Sequence, residues 1–196
     1  SIGAGYAATT ATLKGGQGSA SWKQKFSDGF EYTVGSIVIN NAVGNPLLNQ
    51  GPNFLSGHLE FKNEFGGLGP SKETFDTVIR AKRLNNNFEN QLNTVIGVVA
   101  TDAPLTRANL KRLAIMSHDG IAKSIHPAHT PMDGDTIFAI TTNQVEDEPS
   151  QSISKNDLTV LGSRSSDCVA RACNRAVYEA KSINNTKLSW KEMFEK

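Results

Sequence analysis

The 196-residue sequence is short of several things, and each absence narrows what it can be. It carries two cysteines, no apolar run longer than Thr94 to Ala100, and no excess of charge, with 20 Lys and Arg against 19 Asp and Glu. Crossing a bilayer takes about 20 apolar residues, so the chain reads as a soluble protein with no membrane partner. A net charge of +1 gives no broad surface for nucleic acid or anionic lipid. Cys168 and Cys173, five residues apart in what the pattern predicts as a helix, project about 140° from each other, which excludes a disulfide between them. They read as small core residues of a reducing compartment, and the cytoplasm is the expected location. No signal-peptide pattern opens the sequence and no repeat recurs at a fixed period. The chain begins at Ser1 rather than Met, so the expectation is a processed chain or one part of a larger product.

What is present describes a globular domain. With 38% apolar and 20% charged residues, the length suits one domain with a real core. The first third has β character at Ala8 to Leu13, Ser19 to Trp22, Phe30 to Val34 and Ser36 to Ile39, and Asp28-Gly29 between two such runs predicts a hairpin. Gly44 to Pro70 reads as a long loop, Lys72 to Leu84 fits a short helix or a strand, and Asn85 to Asn93 reads as an exposed loop. Thr94 to Thr101 is β-branched and apolar, the pattern of a strand buried on both faces. Thr106 caps a predicted helix with Leu110, Leu113, Ala114, Ser117 and Ile121 at helical spacing. Gly120 inside it calls for a close neighbour in compensation. A second strand covers Thr136 to Thr141, and after a polar loop from Glu146 to Ser154 a last helix runs from about Ser165 to Ala180. Strands mixed with two packed helices give an α/β or α+β layered domain.

Several motifs resemble chemistry without completing it. Gly3-Ala-Gly5 opens no dinucleotide fingerprint, and Lys14-Gly15-Gly16-Gln17-Gly18 lacks phosphate-loop spacing, so both read as turn glycines and no cofactor is expected. His126 and His129 flank Pro127 with no third ligand, and Asp133-Gly134-Asp135 lacks the rest of a calcium loop, so no metal is expected. Thr94 begins an apolar strand immediately after a polar loop. Periodicity alone makes it a structural residue. Were the chain cut before it, Thr94 would carry a hydroxyl nucleophile and an α-amine whose ordinary pKa, about 7.7–8.0, suits a general base.

An ordered set of segments adds to this reading: Leu13-Lys14-Gly15-Gly16; Asn93-Thr94-Val95-Ile96-Gly97-Val98-Val99-Ala100-Thr101-Asp102-Ala103-Pro104-Leu105; Ser117-His118-Asp119-Gly120-Ile121-Ala122; Asp133-Gly134-Asp135-Thr136; and Asp167-Cys168-Val169-Ala170-Arg171-Ala172. From Gly3 to Ser182 the sequence resembles the DmpA-type aminopeptidases, a family that includes β-peptidyl aminopeptidases and the nylon-oligomer (6-aminohexanoate oligomer) hydrolases. The Asn-Thr junction and the aspartate pair resemble the nylon-hydrolase branch most.

The resemblance implies an α/β fold, a four-layer α/β/β/α sandwich also shared with ornithine acetyltransferases, incomplete here at the N-terminus because family precursors extend further. It implies self-cleavage between Asn93 and Thr94 into residues 1–93 and 94–196, with Thr94 as the nucleophile. Asp133 and Asp135 are implied as site carboxylates that orient the Thr94 hydroxyl and hold an ammonium. Asn41, with Asn40 adjacent, is implied as the oxyanion donor, and Lys14 as a lysine near the nucleophile. The implied activity is hydrolysis of linear oligoamides by a homo-oligomer of cleaved units, with a missing N-terminal chain as a possible partner. An aminopeptidase or amidase on short α- or β-peptides, an acyl transferase, and a non-catalytic structural relative are the alternatives.

Overall fold

The computed structural model describes residues 3–82, 93–145, 149–183 and 187–195. Strands β1 (Gly16–Lys25) and β2 (Glu31–Asn41) form the expected hairpin. Gly29 turns with φ +87°, and the Asp28 carboxylate accepts from the Phe30 N–H at 2.9 Å. Gly35 does not divide β2, because this central strand pairs on both sides, Gly35 lying opposite Ser21 and Ala100. Strand β3 (Thr94–Thr101) runs antiparallel to β2, and β4 (Thr136–Thr141) lies parallel to β3, giving the order β1-β2-β3-β4. A parallel neighbour requires a crossover, which helix α1 (Arg107–Ser124) supplies. Thr106 caps it as expected, accepting from the Asn109 N–H at 3.2 Å.

Helix α2 (Lys155–Tyr178) begins ten residues before the expected start, where the Ser154 hydroxyl accepts from the Asp157 N–H at 3.0 Å. Its first turns bury Leu158 and Leu161, and Gly162 meets Met116 of α1. The predicted stripe of Cys168, Val169, Ala172, Ala176, Val177 and Ala180 is buried. The two cysteines are unbridged, and burial pushes both thiols up to about 12. A Cβ on Gly120 would sit 2.3 Å from the Ser166 carbonyl oxygen, so α1 and α2 meet as closely as that glycine demands. The glycines after Lys14 are not turn glycines. Gly16 and Gly18 lie in β1, and a Cβ on Gly18 would fall 2.1 Å from the Ala172 carbonyl oxygen, so their lack of side chains lets α2 lie directly on the sheet.

Other expectations change. Ala8 to Leu13 is no strand: Thr10 closes a turn on Leu13 with its backbone N–H at 2.8 Å and its hydroxyl, which accepts from the Leu13 N–H at 3.2 Å. Residues 72–82 are neither helix nor strand, because Asn49 and Asp76 side chains take up their backbone groups; residues 83–92, with most of the expected asparagine loop, lie outside the described residues. Asn93, at the end of that loop, is buried rather than exposed. The long irregular segment from 44 to 70 is held by a second small core of Leu13, Leu47, Phe54, Phe65, Val177 and Trp190, completed by helix α3 (Trp190–Phe194). The pair Arg171–Glu64, at 2.5 Å, ties the same segment to α2.

Strand β3 is not buried on both faces. Val95 and Val99 are fully buried beneath the helices, whereas Ile96 and Val98 are 43% and 40% exposed. Among the described residues the helices cover one face of the sheet only, and side chains alternate between the two faces. The described residues thus form one helical layer on one sheet, half of a four-layer sandwich.

Candidate active site

The expected site residues converge on the end of β3 where the chain enters it. Thr94 lies directly opposite Asn41 in the β2–β3 ladder. Asn93, just before the strand, continues it in a parallel bridge with Asp133. The Asn93 carbonyl oxygen accepts two donors: the Gly134 N–H at 2.9 Å and the Thr94 hydroxyl in a very short contact. A Cβ on Gly134 would stand 3.0 Å from the Thr94 oxygen. A glycine between two aspartates is therefore what allows the hydroxyl to lie against this stretch of backbone.

The two carboxylates brace the junction rather than touching the hydroxyl. Asp133 accepts from the Val43 N–H at 3.0 Å and from the Thr130 hydroxyl at 2.8 Å, joining the end of β2 to the loop before β4. Asp135 accepts from the Val95 N–H at 2.8 Å, the residue after Thr94, and from His129 Nδ1 at 2.7 Å. The His129 ring lies 5.3 Å from that of His118, whose pKa is lowered by burial and by His129. Among the described residues no group of three or more His, Cys, Asp or Glu side chains could hold a metal ion, and no helix is long and apolar enough to cross a membrane.

Strand alternation separates the two neighbouring asparagines. Asn40 faces the helices, donating to the Cys173 carbonyl at 3.2 Å. Asn41 takes the other face with Thr94, and its side-chain oxygen accepts from the Thr9 N–H at 3.0 Å and the Lys82 ammonium at 3.2 Å. Lys14 bonds to the backbone of the segment before β1. Fully buried, its ammonium donates to the carbonyls of Gly5, Ala8 and Gly15 at 3.3, 2.6 and 2.9 Å, and burial lowers its pKa. The sequence reading gave no role at the junction to Gly134 or Lys82 and weighed His129 only as a metal ligand. Gly134 was visible as the glycine between two aspartates. Lys82 and His129 had no local signal for the junction, because only the fold brings them there.

Known proteins resemble this chain along most of its length. The model of Peptidase family S58 matches residues 1–189. An uncharacterised aminopeptidase of Mycobacterium leprae (strain TN) is 38% identical over 188 residues, covering 93% of this chain and 49% of the relative. A 6-aminohexanoate-oligomer endohydrolase of Paenarthrobacter ureafaciens is 34% identical over 68 residues only, 35% of this chain and 19% of that enzyme. Among solved structures, the L-aminopeptidase D-Ala-esterase/amidase of Ochrobactrum anthropi superposes with a TM-score of 0.63 at 22% identity, over 96% of this chain and 47% of that one. That likeness shows the fold, an α/β/β/α sandwich. The chain spans about half the length of the curated relatives it matches along most of its length.

Proposed function

The chain belongs to peptidase family S58, and from that premise we propose that it carries the nucleophile of a self-processing amide hydrolase, Thr94, released when the bond after Asn93 is cut. The observation that carries the reading is the junction itself: one carbonyl oxygen, that of Asn93, receives both the Thr94 hydroxyl and the Gly134 N–H.

In maturation, the Thr94 oxygen adds to the Asn93 carbonyl carbon and closes a five-membered ring. The hydroxyl proton passes to the Thr94 nitrogen, the C–N bond breaks, and an ester joins Asn93 to the Thr94 oxygen. Water then hydrolyses that ester, leaving a carboxylate on Asn93 and restoring the hydroxyl of Thr94 beside its new α-amine. Gly134 N–H is aimed at the oxygen that becomes negative, and a single donor of this kind is typically worth about 2.7–4 kcal/mol of barrier.

In turnover, the α-amine takes the hydroxyl proton as the oxygen adds to a substrate amide and returns it to the leaving amine; water then hydrolyses the acyl ester, releasing the carboxylic acid and restoring the Thr94 hydroxyl. The Asn41 carboxamide, oxygen turned toward Thr9 and Lys82, offers its N–H end to the substrate oxyanion. Asp133 and Asp135 act by fixing the backbone on either side of the nucleophile. The substrates are linear amides. Similarity to aminopeptidases over 93% of the chain puts short α- and β-peptides with an unblocked N-terminus first. The Asn-Thr junction and the shorter match to a nylon-oligomer hydrolase keep 6-aminohexanoate oligomers as the second class.

The test is intact mass and N-terminal sequencing of the full-length protein beside Thr94→Ala. The expected result is a wild-type product beginning at Thr94 and an uncut variant with no amidase activity. A cut Thr94→Ala protein, or an uncut wild type, would overturn the reading. On the cleaved enzyme, loss of activity after substrate N-acetylation would assign the aminopeptidase class, and internal cleavage of 6-aminohexanoate oligomers the other.

A further inference from the structure

One ammonium gathers the junction, and it belongs to Lys82. Its Nζ lies 2.5 Å from the Thr9 carbonyl oxygen, 3.2 Å from Asn41 Oδ1, 3.4 Å from the Asn41 carbonyl oxygen and 3.2 Å from Asn93 Oδ1. Its backbone N–H donates to the Val43 carbonyl at 2.9 Å, and Val43 in turn donates to Asp133. A single cation thus touches the residue opposite the nucleophile and the residue on the acyl side of the junction, although Lys82 and Asn93 are eleven positions apart in sequence.

Two physical consequences follow. A carboxamide has an oxygen at one end and a nitrogen at the other, of nearly equal size, so its orientation is set by its partners. Two donors on Asn41 Oδ1, the Thr9 N–H and the Lys82 ammonium, turn the nitrogen end away from them. With the ammonium gone, Oδ1 loses its charged donor, and a flipped carboxamide would present an acceptor where an oxyanion must form. Secondly, positive charge beside Asn93 favours negative charge developing on that residue, more so in a partly buried site than in water. The Lys14 ammonium donates instead to the carbonyls of Gly5, Ala8 and Gly15.

We propose that Lys82 is a positioning residue of this site, acting through Asn41 and Asn93 in maturation and through Asn41 in turnover. The proposal rests on the reading that Thr94 cuts the chain after Asn93. In the full-length protein, Lys82→Met should slow conversion of precursor at least tenfold, and Lys82→Arg, which keeps the charge, should recover most of the rate. Lys82→Gln, which keeps a donor without charge and serves if Lys82→Met fails to fold, should fall between the two.

In material left to mature completely, Lys82→Met should lower kcat with KM unchanged within twofold. In an Asn41→Ala background the same change should lower kcat by less than twofold, because the group it orients is absent. A merely structural lysine would give equal losses in both backgrounds, and that result overturns the proposal. Wild-type conversion and turnover in Lys82→Met and Lys82→Gln overturn it as well, while leaving Thr94 in place. An uncut wild type, or a cut Thr94→Ala, removes the reading beneath the proposal and the proposal with it.

Discussion

The two faces of the sheet are built from the same strands by opposite rules. Toward the helices stand Gly18, Ala20, Val34, Val38, Val95 and Val99, small or β-branched and buried. Toward the other side stand Ile37, Ile96, Val98, Phe138 and Ile140, larger on average and 40–54% exposed. A concavity of about 600 Å³ lies over this open side, lined by Ile37, Val98, Ile140 and Phe61 among others, and by none of the residues at the Asn93–Thr94 junction. A contiguous apolar face of this kind suits a covering layer, and a second sheet is what a sandwich fold sets against it. The lesson is that the helix face carries the stability of the described residues. The open face carries the Asn93–Thr94 junction at its rim, with Asn41 and Thr94 on that side and Asn40 on the other.

Matched glycines give the sharpest way to break this comparison. Gly18 and Gly35 lie in adjacent strands on opposite faces. A Cβ on Gly18 would meet backbone atoms of α2 at 2.1 and 2.5 Å, whereas on Gly35 its nearest neighbour would stand 3.6 Å away. Gly18→Ala should therefore lose about 3 kcal/mol or more, because helix and strand must separate. In thermal unfolding that is a fall of roughly 6 °C or more at this chain length. Gly35→Ala should be neutral or gain about 0.4–1 kcal/mol through the unfolded state. Equal losses would mean that both faces are equally packed.

A second pair uses one deletion at two consecutive positions. Val99→Ala removes two methyl groups from a fully buried site and should lose about 2–3 kcal/mol in denaturant unfolding. Val98→Ala, on the open face, should stay within about 0.5 kcal/mol of the parent. A loss at Val98 that grows with protein concentration would reveal that copies of the chain cover this face by self-association.

Much of this was legible before any coordinates. The bounds of β3 and β4, the Thr106 cap and the close contact at Gly120 follow from β-branched runs, a capping hydroxyl and a glycine within a helical stripe. The early start of α2 was missed because Leu158, Val160 and Leu161 make too short an apolar group to show a helical period. Helix α3 had a clear signal, Ser189 three before Glu192, which form a reciprocal capping box. At the junction, Asn41 and Thr94 could be paired only once the ladder register was known, since a shift of one residue would have brought Asn40 opposite Thr94 instead. Lys82 and His129 reach the site from irregular segments, where no periodicity encodes a direction.

The smallest effect concerns how the helical layer is pinned to the end of the sheet. Asp157, in the first turn of α2, accepts from the Ser27 N–H at 3.1 Å and from the Ser154 hydroxyl at 2.9 Å, with a very short contact to the Ser27 hydroxyl. Its carboxylate thus joins the helix start to the β1–β2 turn, where the helix dipole also favours negative charge. The Ser27 hydroxyl is the chief reason its pKa is lowered from 3.8, with the Ser27 N–H and Ser154 adding to the effect. A carboxyl whose folded pKa lies below its unfolded one contributes stability that is complete above the unfolded value. That contribution is lost as pH falls through the folded value. Asp157→Asn should therefore lose on the order of 1 kcal/mol at pH 7, and the gap from the parent should close in acid, as pH falls through the lowered folded value. Gly35→Ala, whose Cβ would meet only Ala20 and Ser21 within 4 Å, should differ from the parent by the same amount at neutral and acid pH. A pH-independent gap for Asp157→Asn would mean that packing alone seats α2, and that the difference between the two faces owes nothing to this charge.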